Sequence, residues 1–217
     1  MTRRSMLVGV VADSHVGERV ARLPDGTLEA LEGVDLILHA GDITELAVLD
    51  RLEQVAPVAA VQGDHDRDAG IVLPRLRVVR AAGWRIGLVH GDRSRALELV
   101  AGGLSLTLGR PCLLGFHRAM IRRFGSVDCL VHGHLHLPIC RRVDGVLCFS
   151  PGAIDLPERR AGLEGQGPAA RAYLRFRRGL GETSPSIGLL EIDRDGIRPR
   201  IVAVGTPRPG VPGRPSP

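Results

Sequence analysis

Five short apolar runs in this chain end in the same way. Residues 6–12 stop at Asp13-Ser14-His15, residues 34–40 at Gly41-Asp42 and residues 58–62 at Gly63-Asp64-His65-Asp66. Residues 84–90 deliver His90-Gly91-Asp92, and residues 127–132 run into Gly133-His134-Leu135-His136. A continuous apolar run of this length marks a strand buried on both faces, and such strands belong to sheets covered by helices. Two helix-like segments separate the first three runs. Residues 24–32 open on Pro24, a good first helical residue, and close before Gly33, while residues 44–55 are amphipathic and stop at Pro57. The opening therefore reads β-α-β-α-β, and in such sheets ligands are gathered in the crevice outside the carboxyl ends of the strands.

The rest of the chain adds strands at the edges. Residues 76–81 pair naturally with 84–90 around Ala82-Gly83. Two further hairpins, 139–143 with 146–149 and 187–192 with 197–204, turn at Asp144-Gly145 and Asp195-Gly196, a strong two-residue turn signal. Residues 94–100 and 112–124 read as helices joined by a flexible glycine-rich connection over 102–109, the second helix carrying a solvated basic face of Arg118, Arg122 and Arg123. Residues 156–185, rich in Arg, Gly and Pro, read as a surface insertion. Residues 205–217 hold five prolines and three glycines and read as a disordered tail. With 217 residues, 44% of them apolar, one sizeable core is affordable, so residues 1–204 are expected to form a single domain.

Composition excludes little but weakens one class. The net charge is +5, yet all 29 basic residues are arginine, a bias of usage, and only 3% of the chain is aromatic. Without a basic block interleaved with aromatic residues, a nucleic-acid partner is not favoured. Cys112, Cys129, Cys140 and Cys148 have no CxxC spacing and are expected to be reduced core residues. The first apolar run ends after seven residues, too short for a signal sequence or a membrane span, so a cytoplasmic protein with no membrane partner is expected. The oligomeric state is not legible.

The strand ends carry the chemistry. His134 and His136 are two apart, so extended or tightly turned backbone projects them to one side, with Gly133 removing a crowding side chain. One His-x-His pair is weak evidence. Its weight comes from convergence with Asp13, His15, Asp42, Asp64, His65 and His90. Mixed carboxylate and imidazole donors suit Mn²⁺, Fe²⁺, Zn²⁺ or Ni²⁺ better than Mg²⁺ or Ca²⁺. The donors are too many for one ion and suit two ions, ~3.5–4 Å apart in sites of this kind.

In their order, these motifs, together with His39-Ala40-Gly41-Asp42 and Ser150-Pro151-Gly152, resemble the calcineurin-like metallophosphoesterase superfamily, in particular its small single-domain bacterial and archaeal phosphodiesterases. The resemblance covers residues 6–153 and the closing hairpin. It implies an α/β fold, a four-layer sandwich of two mixed β-sheets flanked by α-helices. It also implies that Asp13, His15 and His136 hold one divalent ion, that Asp64, His90 and His134 hold the other, and that Asp42 bridges them. By the same resemblance a hydroxide between the ions attacks phosphorus. His65 assists the leaving group, and Asp66 orients His65. The family usually has asparagine where this chain has Asp64, which adds a negative charge beside the second ion.

Several residues invite a plainer reading. His39 and His132 are expected as hydrogen-bonded histidines behind the ligands, His117 as an ordinary helix residue, and Met6, Trp84 and Met120 as core. The expected function is hydrolysis of a small phosphate ester, with a diester the leading substrate class and manganese the leading cofactor. The alternatives are a non-catalytic scaffold or binding protein on the same fold, and a nuclease.

Overall fold

The computed structural model describes residues 5–155, 167 and 184–205. Its strands form two five-stranded mixed sheets. The first contains β1 (Met6–Val11), β2 (Leu36–His39), β3 (Val58–Ala60), β9 (Ser186–Ile192) and β10 (Ile197–Ala203), in the order β10-β9-β1-β2-β3. The second contains β4 (Leu76–Ala81), β5 (Trp84–Val89), β6 (Cys129–His132), β7 (Pro138–Val143) and β8 (Val146–Pro151), in the order β4-β5-β6-β8-β7. In each sheet three neighbouring strands run parallel, β1-β2-β3 in the first and β5-β6-β8 in the second. The antiparallel strands come from hairpins. All six parallel strands thus bring their carboxyl ends to one edge of the sandwich.

Alternation along each strand explains the layers, because successive side chains point to opposite faces. Val8 and Val10 of β1, Leu38 of β2, Ile86 and Leu88 of β5, Val131 of β6 and Phe149 of β8 meet between the sheets. Their neighbours Val11 and Ile37 face outward onto Leu31, Val48 and Leu52, on or beside the helices α1 (Thr27–Ala30) and α2 (Ala47–Glu53). On the other side Val89, Leu130 and Cys148 pack under Phe116 and Met120 of α5 (Phe116–Ile121). This is the expected four-layer sandwich. With both faces of the parallel strands covered, their near-continuous apolar runs follow directly, whereas the edge strands β4, β7 and β10 are largely exposed.

Four local expectations need correction. The stretch 102–109 is not a flexible connection, because α4 (Arg95–Leu108) runs through Gly102 and Gly103 and ends at Gly109, whose φ of 61° gives a left-handed cap. Interior glycine costs a helix only ~1 kcal/mol relative to alanine, which the surrounding Leu, Ala and Val residues offset. Only part of 24–32 and of 112–124 is helical, as α1 and α5. Of the four cysteines, all free, Cys129 and Cys148 are buried, whereas Cys112 is half-buried and Cys140 lies exposed on an edge strand. Met120 is core, while Met6 and Trp84 are only partly buried against it. The surface insertion predicted over 156–185 and the tail predicted over 205–217 fall almost wholly outside the described residues. No helix among the described residues is long and apolar enough to cross a membrane.

Candidate metal centre

Every expected donor sits within a few residues of the end of a parallel strand. Asp13 and His15 follow β1, Asp42 follows β2, Asp64 follows β3, His90 follows β5, and His134 and His136 follow β6. The loops are tied to one another by main-chain bonds: the amide of Asp13 donates to the carbonyl of Gly41 and that of His15 to the carbonyl of Asp42, both at 3.0 Å. The two sheets are joined across the site as well, since the His134 amide donates to Oδ1 of Asp13 at 2.9 Å. Close approach favours glycine at several points, two of them against donor carboxylates. A Cβ on Gly133 would lie 3.0 Å from both Oδ2 of Asp13 and the carbonyl of Ala40, and one on Gly63 would collide with the Asp42 carboxylate.

The donors fall into two groups. Asp13, His15, Asp42 and His136 offer atoms within 4.8 Å of one another, all four residues buried, and Asp64, His90 and His134 do the same beside them. Asp42 stands between the groups. Its Oδ2 lies 3.4 Å from Nε2 of His15 and 3.3 Å from Nε2 of His90. Asp64 opens the short helix α3 (Asp64–Asp68), and its Oδ1 is 3.0 Å from Nε2 of His90 and 3.4 Å from Nδ1 of His134.

Whether these groups fit a cation is answered by two atoms. Oδ2 of Asp13 and Nε2 of His15 are buried and have no hydrogen-bond partner. Buried polar atoms left unpaired are costly, and two of them on residues of one cluster of carboxylates and imidazoles fit a place for a positive ion. Ring orientation agrees. Nδ1 of His90 donates to the carbonyl of Ala40 at 2.8 Å, Nδ1 of His15 to Glu18 at 2.9 Å and Nδ1 of His136 to Asp155 at 3.1 Å. Each bond occupies Nδ1 and leaves Nε2 as the ring nitrogen that faces the site, the arrangement found behind metal-binding histidines.

The electrostatics point the same way. Burial works against charge on His90, but its bonds to Asp42 and Asp64 outweigh that and raise it well above the ordinary imidazole range. His134, likewise opposed by burial, is raised to about 9 by Asp64 and Glu98. Desolvation opposes ionisation of Asp42, yet His90 and His15 hold it down to about 2, and His134 and His90 hold Asp64 far below the usual carboxylate range. Without a cation, these carboxylates recruit protons onto the histidines. A divalent ion would take the place of those protons.

Left-handed backbone is concentrated here. Asp13, His15, Asp42, Thr44, His134 and His136 have φ between 46° and 66°, and they are six of the nine non-glycine residues with positive φ among those described. Such conformations persist in L-residues only where the surroundings impose them.

Some assignments change and some residues are new. Asp66 does not orient His65. Its buried carboxylate accepts the amides of Asp42, Ile43, Thr44 and Gly63 at 2.7–2.9 Å and so anchors two ligand loops. His65 instead holds Glu18 through Nδ1 at 2.9 Å and receives Arg19 at Nε2 at 3.0 Å. Sequence reasoning passed over Glu18, Arg19 and Asp155, and also Glu98, whose Oε1 is 3.5 Å from Nε2 of His134. The only local signal was the position of Glu18 three residues after His15. His39 does lie behind the ligands, its Nε2 3.1 Å from Oγ of Ser14. His117, read as ordinary, is buried and meets Nε2 of His132 at 3.2 Å.

The profile of the calcineurin-like phosphoesterase superfamily domain matches residues 6–165. The chain belongs to this superfamily. Among its calcineurin-like relatives, a protein of Methanothermobacter thermautotrophicus named as a probable metallophosphoesterase is 31% identical over 205 residues, covering 93% of this chain and 95% of its own length. Of solved calcineurin-like folds, Vacuolar Protein Sorting 29 from Cryptosporidium parvum superposes with a TM-score of 0.60 at 20% identity, over 92% of this chain and 98% of that one. Wild-type Vps29 from Entamoeba histolytica, complexed with Zn²⁺, gives 0.57 at 23% identity over 91% and 99%. At these identities the likeness of the two structures is one of fold.

Proposed function

We propose that this chain is a hydrolase that uses two divalent metal ions to cleave small phosphate esters, with diesters preferred. The single observation carrying this reading is the pair of adjacent donor groups, with Asp42 between them and Asp13 Oδ2 and His15 Nε2 buried and unpaired. Mn²⁺ is the leading candidate for a mixed carboxylate and imidazole set, with Fe²⁺, Zn²⁺ and Ni²⁺ the other candidates. Asp13, His15, Asp42 and His136 would hold one ion and Asp64, His90 and His134 the other, with Asp42 reaching both. When bound, such a pair polarises a phosphoryl oxygen and makes water nucleophilic at neutral pH.

The residues of the chain supply position and a proton. His65 stands at the rim, its side chain 32% exposed and its ring 4.7 Å from that of His15. Glu18 holds Nδ1, so any proton passed to a leaving oxygen goes through Nε2. That nitrogen is engaged by Arg19. An incoming phosphate competes for the guanidinium, whose planar fork suits phosphate oxygens; Nε2, once freed of Arg19, takes a proton from solvent and passes it to the leaving oxygen. A diester suits the site because it carries one charge, and the Asp64 carboxylate repels it less than a dianionic monoester.

A second reading is a binding protein on the same fold. It draws support from the Arg19–His65 contact, which occupies the one nitrogen that turnover needs, and from solved neighbours carrying the name Vps29. Turnover by His65→Ala of esters with poor and good leaving groups separates the two. The hydrolase reading expects a loss of ~10²–10⁴ on alkyl phosphodiesters and a much smaller one on nitrophenyl esters. No metal-dependent turnover of either ester by the parent protein would leave the binding reading.

A further inference from the structure

Beside the first donor group a chain of hydrogen bonds runs from His15 to His136 through His65, a histidine outside both donor groups. Glu18 accepts from Nδ1 of His15 through Oε2 and from Nδ1 of His65 through Oε1, both at 2.9 Å. Arg19 donates through one terminal nitrogen to Nε2 of His65 and through the other to Oδ2 of Asp155, both at 3.0 Å. Oδ1 of Asp155 then accepts from Nδ1 of His136 at 3.1 Å. Two donors of one group and the rim histidine therefore share one set of partners.

The chemistry of the donors and acceptors fixes every proton in this chain. An ionised carboxylate only accepts, so Nδ1 of His15, His65 and His136 each carry hydrogen. A guanidinium only donates, so Nε2 of His65 must be the acceptor, which agrees with hydrogen on its Nδ1. No atom has to play two roles. The turn that presents Glu18 and Arg19 is itself held by the carbonyl of His15, which accepts the amides of Glu18, Arg19 and Val20 at 2.8–3.2 Å. The trio of His15, Glu18 and His65 is also close enough to hold an ion. That use would strip hydrogen from Nδ1 of His15 while its Nε2 faces the main site, leaving an imidazolate, and the hydrogen-bonded arrangement avoids this.

We propose that Glu18 is a positioning residue that couples the metal centre to His65, one carboxylate setting the tautomer and ring orientation of a metal donor and of the leaving-group histidine together. The inference rests on the roles given above to His15 and His65. It has a geometric corollary. Glutamine has one acceptor oxygen and one amide NH2 donor, so it can satisfy one Nδ1–H and must confront the other with a hydrogen.

The experiment uses the full chain with Glu18→Ala, Glu18→Gln and His65→Ala, alone and combined. Nitrogen NMR of histidine-labelled, metal-free protein reads the ring tautomers, and Mn²⁺ and Zn²⁺ titrations read affinity at each site. The parent should show hydrogen on Nδ1 of His15 and His65. Glu18→Ala should mix the tautomers of both and weaken one of the two metal sites ~10–100-fold, the usual cost of removing a partner behind a metal-bound histidine. The same weakening should persist in the His65→Ala background, since it passes through His15. Glu18→Gln should disturb one ring and spare the other. On phosphodiesters, Glu18→Ala should slow alkyl esters more than nitrophenyl esters. Unchanged tautomers and affinity in Glu18→Ala would overturn the proposal, and so would equal loss at both metal sites. If Glu18→Ala does not fold, Glu18→Gln decides by the same readings. Should the parent hydrolyse no ester at all, the hydrolase reading falls while the tautomers and affinities still judge Glu18.

Discussion

The carboxylate of Asp66 holds the main chain of Asp42 in place, its Oδ2 accepting the Asp42 amide at 2.9 Å across 24 residues of sequence. The same carboxylate accepts three further amides from the loops after β2 and β3. Asp66→Ala should therefore lower the unfolding free energy by ~3 kcal/mol or more, since buried amides lose a charged acceptor. Asp66→Asn, which keeps an oxygen, should cost less. Urea unfolding in the presence of chelator measures both, and a loss below ~1 kcal/mol for alanine would contradict the anchoring role.

Removal of Asp42 tests the centre as a pair. Asp42→Ala should lose both ions, and elemental analysis of protein reconstituted in Mn²⁺ should fall from ~two ions per chain to below one. His65→Ala should keep its metal. Thermal stability provides a parallel readout, because an ion that binds only the folded state raises the melting temperature of the parent, and Asp42→Ala should respond far less.

Asp64 adds one negative charge among the donors. With Asp13, Asp42 and Asp64 ionised beside two divalent ions and one hydroxide the charges sum to about zero, and asparagine at 64 leaves about +1. Asp64→Asn should bind its second ion more weakly. Once saturated, it should turn over monoesters relatively better than the parent does. Paired metal titrations and the ratio of monoester to diester turnover check this, and an unchanged affinity would mean that Asp64 holds no ion.

His117 gives a test in acid that does not involve the ligands. Burial and the nearby Arg141 lower it to about 4, and its ring is packed against neutral His132 and Phe116. Below pH 6.5 the unfolded chain takes up a proton that the folded protein refuses, so stability falls with pH until about 4, where the folded state is protonated too. This one residue should account for ~3 kcal/mol between those limits. Denaturation of metal-free protein from neutral to acid pH should show a shallower fall in His117→Gln, whose amide can still donate to His132.

The donor residues were legible because strand ends are punctuated locally. Apolar runs, the glycines at 41, 63, 91 and 133, and the Asp or His beside them are all read without knowing the fold. The partners behind the donors were not. Asp155 reaches His136 only after β7 and β8 have returned the chain to the same edge, and nothing in the intervening sequence announces it. The resemblance implies that Asp66 orients its neighbour His65, but both residues lie in α3. Neighbouring side chains on a helix point about 100° apart, so Asp66 turns back to the loops while His65 faces the rim. Gly102-Gly103 imitates a linker, which hides the full length of α4 in the sequence.

The left-handed backbone at Asp13, His15, Asp42, Thr44, His134 and His136 gives these positions a second meaning, one written in descent. Glycine would relieve roughly 1–2 kcal/mol at each, but it brings no donor atom. Mutation that is not opposed by selection for metal should therefore drift towards glycine or asparagine here before anything else in the sandwich changes. Lineages that have given up the centre should be recognisable by glycine or asparagine at these six positions, on an otherwise intact fold.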